Sequence, residues 1–540
     1  MQNFIQKILD QKISLAEWLL GFSGILMVRF FLEALSSKTS SGFLASDAST
    51  LMHYYLFYLS FILVFMFFLK YFVFKEEQGD MVPKVALYSF AVIFFAPIFD
   101  YIYALIAKNS FSMGYIFDGW PGILKYFSDF FGPSLYQGIT LGIRIEVLLI
   151  LISIFYLTYK IKKSLFKSTV AIVVLYAFIF LFLSAPSFIG IIFGSAQSTP
   201  DILAFFARSF ASISAENNLH SSLEYGSFVR FFEISFNFVM AKIFFVSATI
   251  LGCFWFYTNN KQIFLTVIKN SRFERVAHYI FMLILGIVFT ADGFSVFGIF
   301  NWIDWLTLLT LFISIYCAWM FAVHINDIVD VNIDKITNKD RPLAEERLSR
   351  ENMQEFGMVF LLTSVVGGFL SGYSALFFLL TFIALYYIYS APPTRFKTIP
   401  FFSSFIIGLC CLSVVLAGFF TFSPSKEVAS FKAEWAIGIT LIFFLWSHIR
   451  DMKDIEGDKQ EGVPTVPVIF GKNGPLVVGV LSSSAYLLVP VFFGLWTLIP
   501  AIPASVLNYY LVKKQPYKEK PVFLVYGLFT FSLLALYFLL

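Results

Sequence analysis

Charged residues and cysteines are scarce in this chain. Only 13% of its 540 residues are Asp, Glu, Lys or Arg, and four are cysteines. Cys253, Cys317, Cys410 and Cys411 all stand in apolar segments without metal-ligand spacing, so we expect buried thiols and no disulfide framework. The net charge of +4 is small and spread over loops, which argues against a nucleic-acid surface and excludes nucleic acid as a partner.

Apolar residues dominate the remaining composition and define the class of protein. They make up 59% of the chain, its mean hydropathy is +0.80, and 72 residues are phenylalanine. Runs of about eighteen or more apolar residues recur along the chain, which is the signal of membrane-spanning helices. We therefore predict an all-α polytopic membrane protein surrounded by membrane lipids, with an uncleaved first span.

The predicted spans form two groups joined by a basic segment. We expect an N-terminal membrane domain at residues 1–258, a basic cytoplasmic linker at 259–276 and a C-terminal membrane domain at 277–540. The first domain has six predicted spans, at about 15–35, 52–74, 85–107, 144–160, 168–195 and 228–258. The second has nine, at about 277–297, 304–325, 355–372, 374–390, 402–420, 432–449, 475–491, 493–512 and 521–540.

Basic residues cluster in alternate loops, which indicates the orientation. By the positive-inside rule, the N-terminus and the basic loops are cytoplasmic, and we expect the plasma membrane as the location. The loops at about 108–143 and 196–227 then face outward. Their short apolar stretches favour re-entrant or interfacial helices.

Several charged residues fall within or beside the spans of the first domain, where ionised side chains are costly. They are Arg29, Glu33, Asp100, Arg144, Glu146, Arg230 and Glu233. Interhelical ion pairs or snorkelling to the interface are one explanation. The other is a polar pocket, open to the outside, that binds a lipid head group or a glycan. We recognise no family resemblance in this domain, and no reaction can be named for it.

The most polar stretch of the chain, residues 324–350, directly follows an apolar run. Asn326, Asp330 and Asp334 fall at i, i+4 and i+8, so on one helix they would share a face, with Asp327 at its edge. Stacked carboxylates repel each other, and hard oxygen ligands suit Mg²⁺, so the spacing favours a bound cation. A helix-capping cluster is the alternative, although capping requires a single acid.

A second acidic stretch, residues 448–474, also follows an apolar segment. Asp454 and Asp458 are spaced i, i+4, and Asp451 lies one turn earlier. Lysine and arginine residues stand close to both stretches. Two acid-rich helix ends with basic neighbours suit a metal-bridged polyanion, and diphosphate is the obvious candidate.

Three motifs in this half resemble those of a known family. NDIVDVNID at residues 326–334 is similar to the first aspartate-rich motif of the UbiA-type intramembrane prenyltransferases, and KDIEGDK at 453–459 to the second. YSAPPTRFK at 389–397 resembles the loop between them. The resemblance covers about residues 270–540 and implies a nine-helix bundle around a central cavity, preceded here by about six further helices.

The resemblance also implies roles for individual residues. The Mg²⁺ ligands would be Asn326, Asp330, Asp454 and Asp458. The acidic shell would be completed by Asp327, Asp334 and Asp451, with Tyr389 beside the reacting carbon. The candidates for diphosphate binding are Lys339, Arg341, Arg395, Lys397, Lys453 and Lys459. Each basic residue has positive-inside anchoring as its alternative reading.

The implied activity is a Mg²⁺-dependent prenyltransferase of lipid or quinone biosynthesis. An isoprenyl diphosphate would transfer its isoprenyl group to a lipophilic or aromatic acceptor within the membrane and release diphosphate. Ala344, Glu345 and Glu346 stand where family members that make ether lipids, chlorophyll or menaquinone usually have Pro-Ser-Gly, so the acceptor stays open. A transporter or flippase that binds diphosphate-linked lipids without prenyl transfer is the alternative function.

Overall fold

In the computed structural model, the protein is built from helices. The structure describes residues 12–36, 48–107, 119–132, 139–209, 228–290, 293–425 and 427–539, and no β-strand occurs among them. Thirteen helices in these ranges are long and apolar enough to cross a membrane, and one further bent pair passes the same test together. The predicted all-α multi-pass membrane fold is therefore confirmed.

The chain divides into two compact units. The first contains residues 1–215 and 219–260, and the second contains 216–218 and 261–540. The functional boundaries expected at 258 and 276 stay predictions.

Ten α-helices of the first unit lie within the described residues. They are α1 (Leu15–Ser36), α2 (Ala48–Phe68), α3 (Val82–Phe90), α4 (Phe95–Ala107), α5 (Gly119–Ser128), α6 (Leu141–Lys162), α7 (Leu165–Leu183), α8 (Ala185–Gly194), α9 (Thr199–Ser209) and α10 (Phe228–Asn259). A four-residue 3-10 segment, Ala91–Phe94, separates α3 from α4.

Two expectations for the first unit require correction. The span predicted at 168–195 is wrong, because α7 ends at Leu183 and Pro186 lies in the first turn of α8. The helix pair of Ala185–Gly194 and Thr199–Phe206 bends by 78°, so it forms a broken span or a re-entrant loop.

Cys253 is exposed, contrary to the expected burial, whereas the other three cysteines are buried. Of the two loops expected to face outward, residues 108–118, 133–138 and 210–227 lie outside what the structure describes, as do the side chains of Arg230 and Glu233.

In the part of the second unit that the structure describes there are thirteen α-helices, nine of which are long. They are α11 (Lys261–Lys269), α12 (Phe273–Val288), α13 (Trp302–Val329), α14 (Val331–Thr337), α15 (Arg350–Ser371), α16 (Tyr373–Ser390), α17 (Phe402–Phe422), α18 (Ala433–Trp446), α19 (Ile455–Gln460), α20 (Val466–Phe470), α21 (Gly474–Phe493), α22 (Leu498–Lys513) and α23 (Glu519–Leu539).

Two of the nine predicted spans are shorter than expected. The helix expected at 277–297 ends at Val288, and the helix expected at 432–449 ends at Trp446. After Trp446 the chain continues as a 3-10 helix, Ser447–Lys453, which carries the start of the second acidic stretch.

Glycines allow the helices at the centre of this unit to approach closely. A Cβ placed on Gly286 of α12 would lie 1.9 Å from the Val415 carbonyl oxygen, and one on Gly418 of α17 would lie 2.3 Å from that of Leu283. Backbone therefore meets backbone where these two helices cross. The buried core around them includes α13 and α17, and the acidic segments extend from helix ends within this bundle.

Candidate active site

The first acidic segment is a broken helix. Helix α13 ends at Val329, Asp330 adopts a non-helical conformation with φ −97° and ψ 16°, and α14 begins at Val331. The prediction of one continuous helix with Asn326, Asp330 and Asp334 on a single face is therefore wrong. The periodicity continues through residue 334, but the chain turns at Asp330 and sends the acids to different partners.

Arg341 joins two of these acids. Three donors surround the buried carboxylate of Asp327, namely Arg272 at 2.5 Å, Arg341 at 2.7 Å and Asn270 at 2.8 Å. The same nitrogen of Arg341 lies 2.7 Å from the carboxylate of Asp334. Because removing one partner leaves a buried charge uncompensated, this cluster fixes the 338–349 loop against the end of α13.

Asp330 is neutralised separately, by the loop that follows α16. The Lys397 ammonium donates to its Oδ1, and Arg395 contacts the same oxygen at 3.2 Å. Both basic residues belong to YSAPPTRFK, so the structure brings this motif onto the first aspartate motif. Asn326, one turn before Asp330, accepts a hydrogen bond of 3.1 Å from Ser390 of the same α16 end.

The second acidic segment meets the first at α14 and α19. The Asn338 side chain donates to Asp334 at 3.0 Å and to Asp454 at 2.8 Å, and Thr337 donates to Asp454 at 3.3 Å. Gly457 makes this approach possible, because a Cβ there would lie 2.9 Å from the Ile333 side chain. The two motifs are thus in direct contact.

The acids of the second segment receive hydrogen bonds rather than ion pairs. Asp458 is buried and accepts a hydrogen bond of 3.3 Å from Thr465. Within the described residues, no Lys or Arg lies within ion-pair distance of Asp451, Asp454 or Asp458. Burial, together with nearby carboxylates, raises the pKa of Asp458 to about 7 and that of Asp451 to about 6. The negative charge here is less compensated than in the first segment.

Arg450 is a site residue that the sequence did not indicate. Its guanidinium lies 5.0 Å from the centre of the Tyr389 ring and donates a hydrogen bond of 2.5 Å to the Tyr389 hydroxyl. The contact attaches the 3-10 segment to α16. The sequence does not distinguish Arg450 as a site residue, because an arginine at a helix end is normally interpreted as an anchor at the membrane interface.

The remaining predicted residues fall into two groups. Lys453 contacts Glu519 of α23 at 3.3 Å, and Arg275 of α12 contacts the same carboxylate at 2.6 Å. Lys339 and Lys459 are exposed. These two have no ion pair among the described residues and extend toward solvent at the edge of the acidic segments.

The carboxylates do not form one compact cluster. Within the ranges that the structure describes, no group of three or more His, Cys, Asp or Glu side chains could hold a metal ion. Asp330, Asp454 and Asp458 are therefore not gathered around one point, because Lys397 and Arg395 hold Asp330 and Asn338 holds Asp454. The expected Mg²⁺ ligands Asn326, Asp330, Asp454 and Asp458 stay a prediction.

A largely apolar cavity of about 400 Å³ lies next to the second segment, within the bundle of α12, α18, α21 and α23. Its aromatic lining includes Phe281, Phe289, Trp435, Phe443, Trp446 and Tyr486. Trp446 donates a hydrogen bond of 3.2 Å to Tyr486 and is the last residue before the 3-10 helix that carries Asp451. The cavity therefore reaches the helix end from which the acids extend.

Comparisons with known proteins match part of this chain to a family. A family model described as the UbiA prenyltransferase family matches residues 276–534, and no family model matches the N-terminal region. The digeranylgeranylglyceryl phosphate synthase of Methanocaldococcus jannaschii is 28% identical over 220 residues, which are 39% of this chain and 74% of that protein. That of Methanococcus aeolicus is 28% identical over 172 residues, 31% of this chain and 57% of that protein.

Solved structures of two similar proteins each cover about half of this chain. A UbiA homologue from Archaeoglobus fulgidus bound to GPP and Mg²⁺ is 18% identical, with a TM-score of 0.38, and covers 51% of this chain and 98% of its own. A digeranylgeranylglyceryl phosphate synthase structure is 24% identical, with a TM-score of 0.35, and covers 50% and 99% of the two chains.

Proposed function

Because residues 276–534 belong to the UbiA prenyltransferase family and form an intramembrane prenyltransferase, we propose that Mg²⁺ and the two acidic segments bind the diphosphate of its isoprenyl substrate. One observation carries the proposal: the first motif, the second motif and the YSAPPTRFK loop meet at the ends of their helices, although they are far apart in sequence. By the positive-inside rule, we assign this site to the cytoplasmic side. We also propose the plasma membrane as the location of the enzyme.

The donor set of the second segment fits Mg²⁺. Proteins usually bind this ion through one or two carboxylates together with substrate phosphates, and do not require a complete protein cage. Asp454 and Asp458 supply two such carboxylates, and their partners are neutral amide and hydroxyl groups. Asp330 and Asn326 would add oxygen ligands from the first segment. When bound, Mg²⁺ would neutralise charge on the diphosphate leaving group.

The basic residues have three different roles in this proposal. Lys397 and Arg395 contact Asp330, and we assign them to the diphosphate oxygens once these enter beside that carboxylate. Lys339 and Lys459 are exposed at the edge, where they attract the anionic substrate. Arg341 serves a different purpose, because it holds Asp327 and Asp334 in place.

The chemistry is electrostatic. The bond between the allylic carbon and the diphosphate oxygen breaks, and the positive charge that develops on the isoprenyl group is stabilised by fixed negative charge and aromatic faces. Tyr389, held by Arg450, lies near the acids and would face this carbon. The acceptor oxygen or carbon then forms the new bond and loses its proton. The isoprenoid tail occupies the aromatic cavity that ends at Trp446.

For the acceptor, we propose a hydroxyl group of a glyceryl phosphate lipid. The two relatives described above are both named digeranylgeranylglyceryl phosphate synthase, and this is the basis for the choice. Within the described residues, Ala344, Glu345 and Glu346 make no hydrogen bond or ion pair with the acids of the site, so the departure from the family pattern leaves the acceptor to be decided by the assay.

The proposal is tested by diphosphate release from purified protein in lipid. Geranylgeranyl diphosphate and a prenylated glyceryl phosphate should be consumed only with Mg²⁺, and EDTA should abolish turnover. Asp454→Asn should raise the Mg²⁺ concentration for half-maximal activity by at least about 10–100-fold, the loss that is typical when even an outer-shell partner of a metal ligand is removed. Asp340→Asn, at an exposed acid in the same region, is the control. Metal-independent turnover, or equal effects of the two variants, would contradict the metal assignment.

A further inference from the structure

The first unit contains a buried ion pair inside the membrane region. Arg29, in the middle of α1, is only 2% exposed. Its guanidinium donates a hydrogen bond of 2.6 Å to the Ile93 carbonyl oxygen and lies 3.4 Å from Glu146 of α6 and 3.9 Å from Glu33. It also lies 5.2 Å from the centre of the Tyr58 ring. The predicted interhelical ion pair is thus formed.

This ion pair lies at the wall of a cavity of about 200 Å³. Five helices and the 3-10 segment Ala91–Phe94 contribute its lining. The polar lining residues are Arg29, Tyr58, Ser89, Glu146 and Ser153. The others are apolar, and Phe57, Phe61, Phe65 and Phe182 are prominent among them. An apolar cavity with a few converging polar groups is the usual form of a small-molecule site.

We propose that this cavity binds a single-chain lipid alcohol, separately from the prenyltransferase site. Ionisable groups inside a membrane are costly and mark binding or transport sites. One guanidinium faces two carboxylates here, so a phosphate would add a further negative charge beside Glu33 and Glu146. A hydroxyl group can accept a hydrogen bond from Arg29 and donate one to Glu146 without adding a negative charge. The mainly aromatic and aliphatic lining excludes a glycan and suits one hydrocarbon chain.

Photolabelling of the full-length protein in lipid nanodiscs tests this site. The probes are tritiated diazirine derivatives of geranylgeraniol and of hexadecanol, which distinguish an isoprenoid from a straight-chain source. We expect label within residues 48–68 and 141–162, because α2 and α6 line the cavity. Labelling by either alcohol supports the site, and unlabelled geranylgeranyl diphosphate should not displace it.

Cavity-filling variants supply the control. Ser153→Phe places a ring into the cavity and should reduce labelling about tenfold, whereas Ile152→Phe should not, because Ile152 is 57% exposed and is not part of the lining. Ser89→Phe fills the cavity from α3 in case the first variant fails to fold, as judged by size exclusion. The proposal is overturned by label confined to residues 261–540, by equal labelling of the filled and control variants, or by displacement with the diphosphate.

Discussion

The Asn338 side chain donates a hydrogen bond of 2.8 Å to Asp454, across 116 residues of sequence. Asn338 ends α14, and Asp454 precedes α19, so this bond joins the two acidic segments at their helix ends. The site is therefore assembled by protein contacts between the segments. This arrangement explains why the acids lie side by side without forming a compact metal cluster.

Gly457 controls how closely the two segments approach. Gly457→Val should push α19 away from α14, because even a Cβ would lie 2.9 Å from Ile333 and 3.0 Å from Thr337. We expect kcat/KM to fall about tenfold or more, since an ångström of misplacement at a catalytic site is costly. Gly527→Val, in open space on α23, should retain near-native activity. Similar losses in both variants would mean that the Gly457 approach is unimportant.

Lys397 is the basic residue for which we predict the largest effect. Lys397→Met removes the closer cation from the buried Asp330, leaves it the longer contact to Arg395, and removes a proposed diphosphate ligand. We expect kcat/KM to fall about 100-fold, equivalent to roughly 2.7 kcal/mol. Lys459→Met removes an exposed charge beside the second segment and should cost only a few-fold. Steady-state kinetics at several ionic strengths would test this, and equal losses would argue against a specific role for Lys397.

The motifs and most of the helices could be predicted from sequence because both have strong local signals. Long apolar runs indicate spans, and acids at i, i+4 spacing after a span indicate a metal-binding end. The break at Asp330 has no such signal, because the acidic periodicity continues through it and no proline or glycine marks the turn. As a result, the acids were predicted to share one face, whereas the structure divides them between Arg341 and Lys397.

The sequence also could not show which side chains the site arginines contact. Arg272, Arg275 and Arg450 all lie near helix ends, where basic residues are common on cytoplasmic faces. Their roles depend on tertiary contacts with Asp327, Glu519 and Tyr389, which are distant in sequence. Gly457 had a usable signal, because a glycine inside a short acidic helix often marks a close backbone approach.

Glu346 lies where the sequence departs from the family pattern, and its backbone conformation leads to a prediction about stability. It stands where glycine is usual and adopts a φ of +59°, a left-handed conformation that glycine reaches without steric cost. Glu346→Gly relieves that strain, and since the side chain is exposed, little contact is lost. We expect thermal unfolding in detergent to show it roughly 1 kcal/mol more stable than Ala344→Gly, whose position lacks a positive φ. The reverse order would show that the Glu346 conformation is unstrained.

Glu519 connects the second acidic segment to the helices that line the aromatic cavity. It lies 2.6 Å from Arg275 of α12 and 3.3 Å from Lys453, which immediately precedes Asp454. Burial lowers the pKa of Lys453 to about 8, so this ammonium depends on its carboxylate partner to stay charged at neutral pH. Glu519 is thus a positioning residue, expected to hold the segment in register with α12 and α23.

Glu519→Gln keeps the shape of the side chain and removes its charge. For a partly buried ion pair we expect a loss of about 1–2 kcal/mol in stability, between the values for exposed and buried pairs. If Glu519 had a purely structural role, this loss of stability would be the whole effect of the substitution. If Glu519 positions the second segment, the Mg²⁺ concentration for half-maximal activity should also rise several-fold, because Asp454 follows Lys453 directly. Glu434→Gln, at an exposed position in the first turn of α18, should change neither quantity. An unchanged Mg²⁺ dependence in a destabilised Glu519→Gln protein would restrict this residue to holding the helices together.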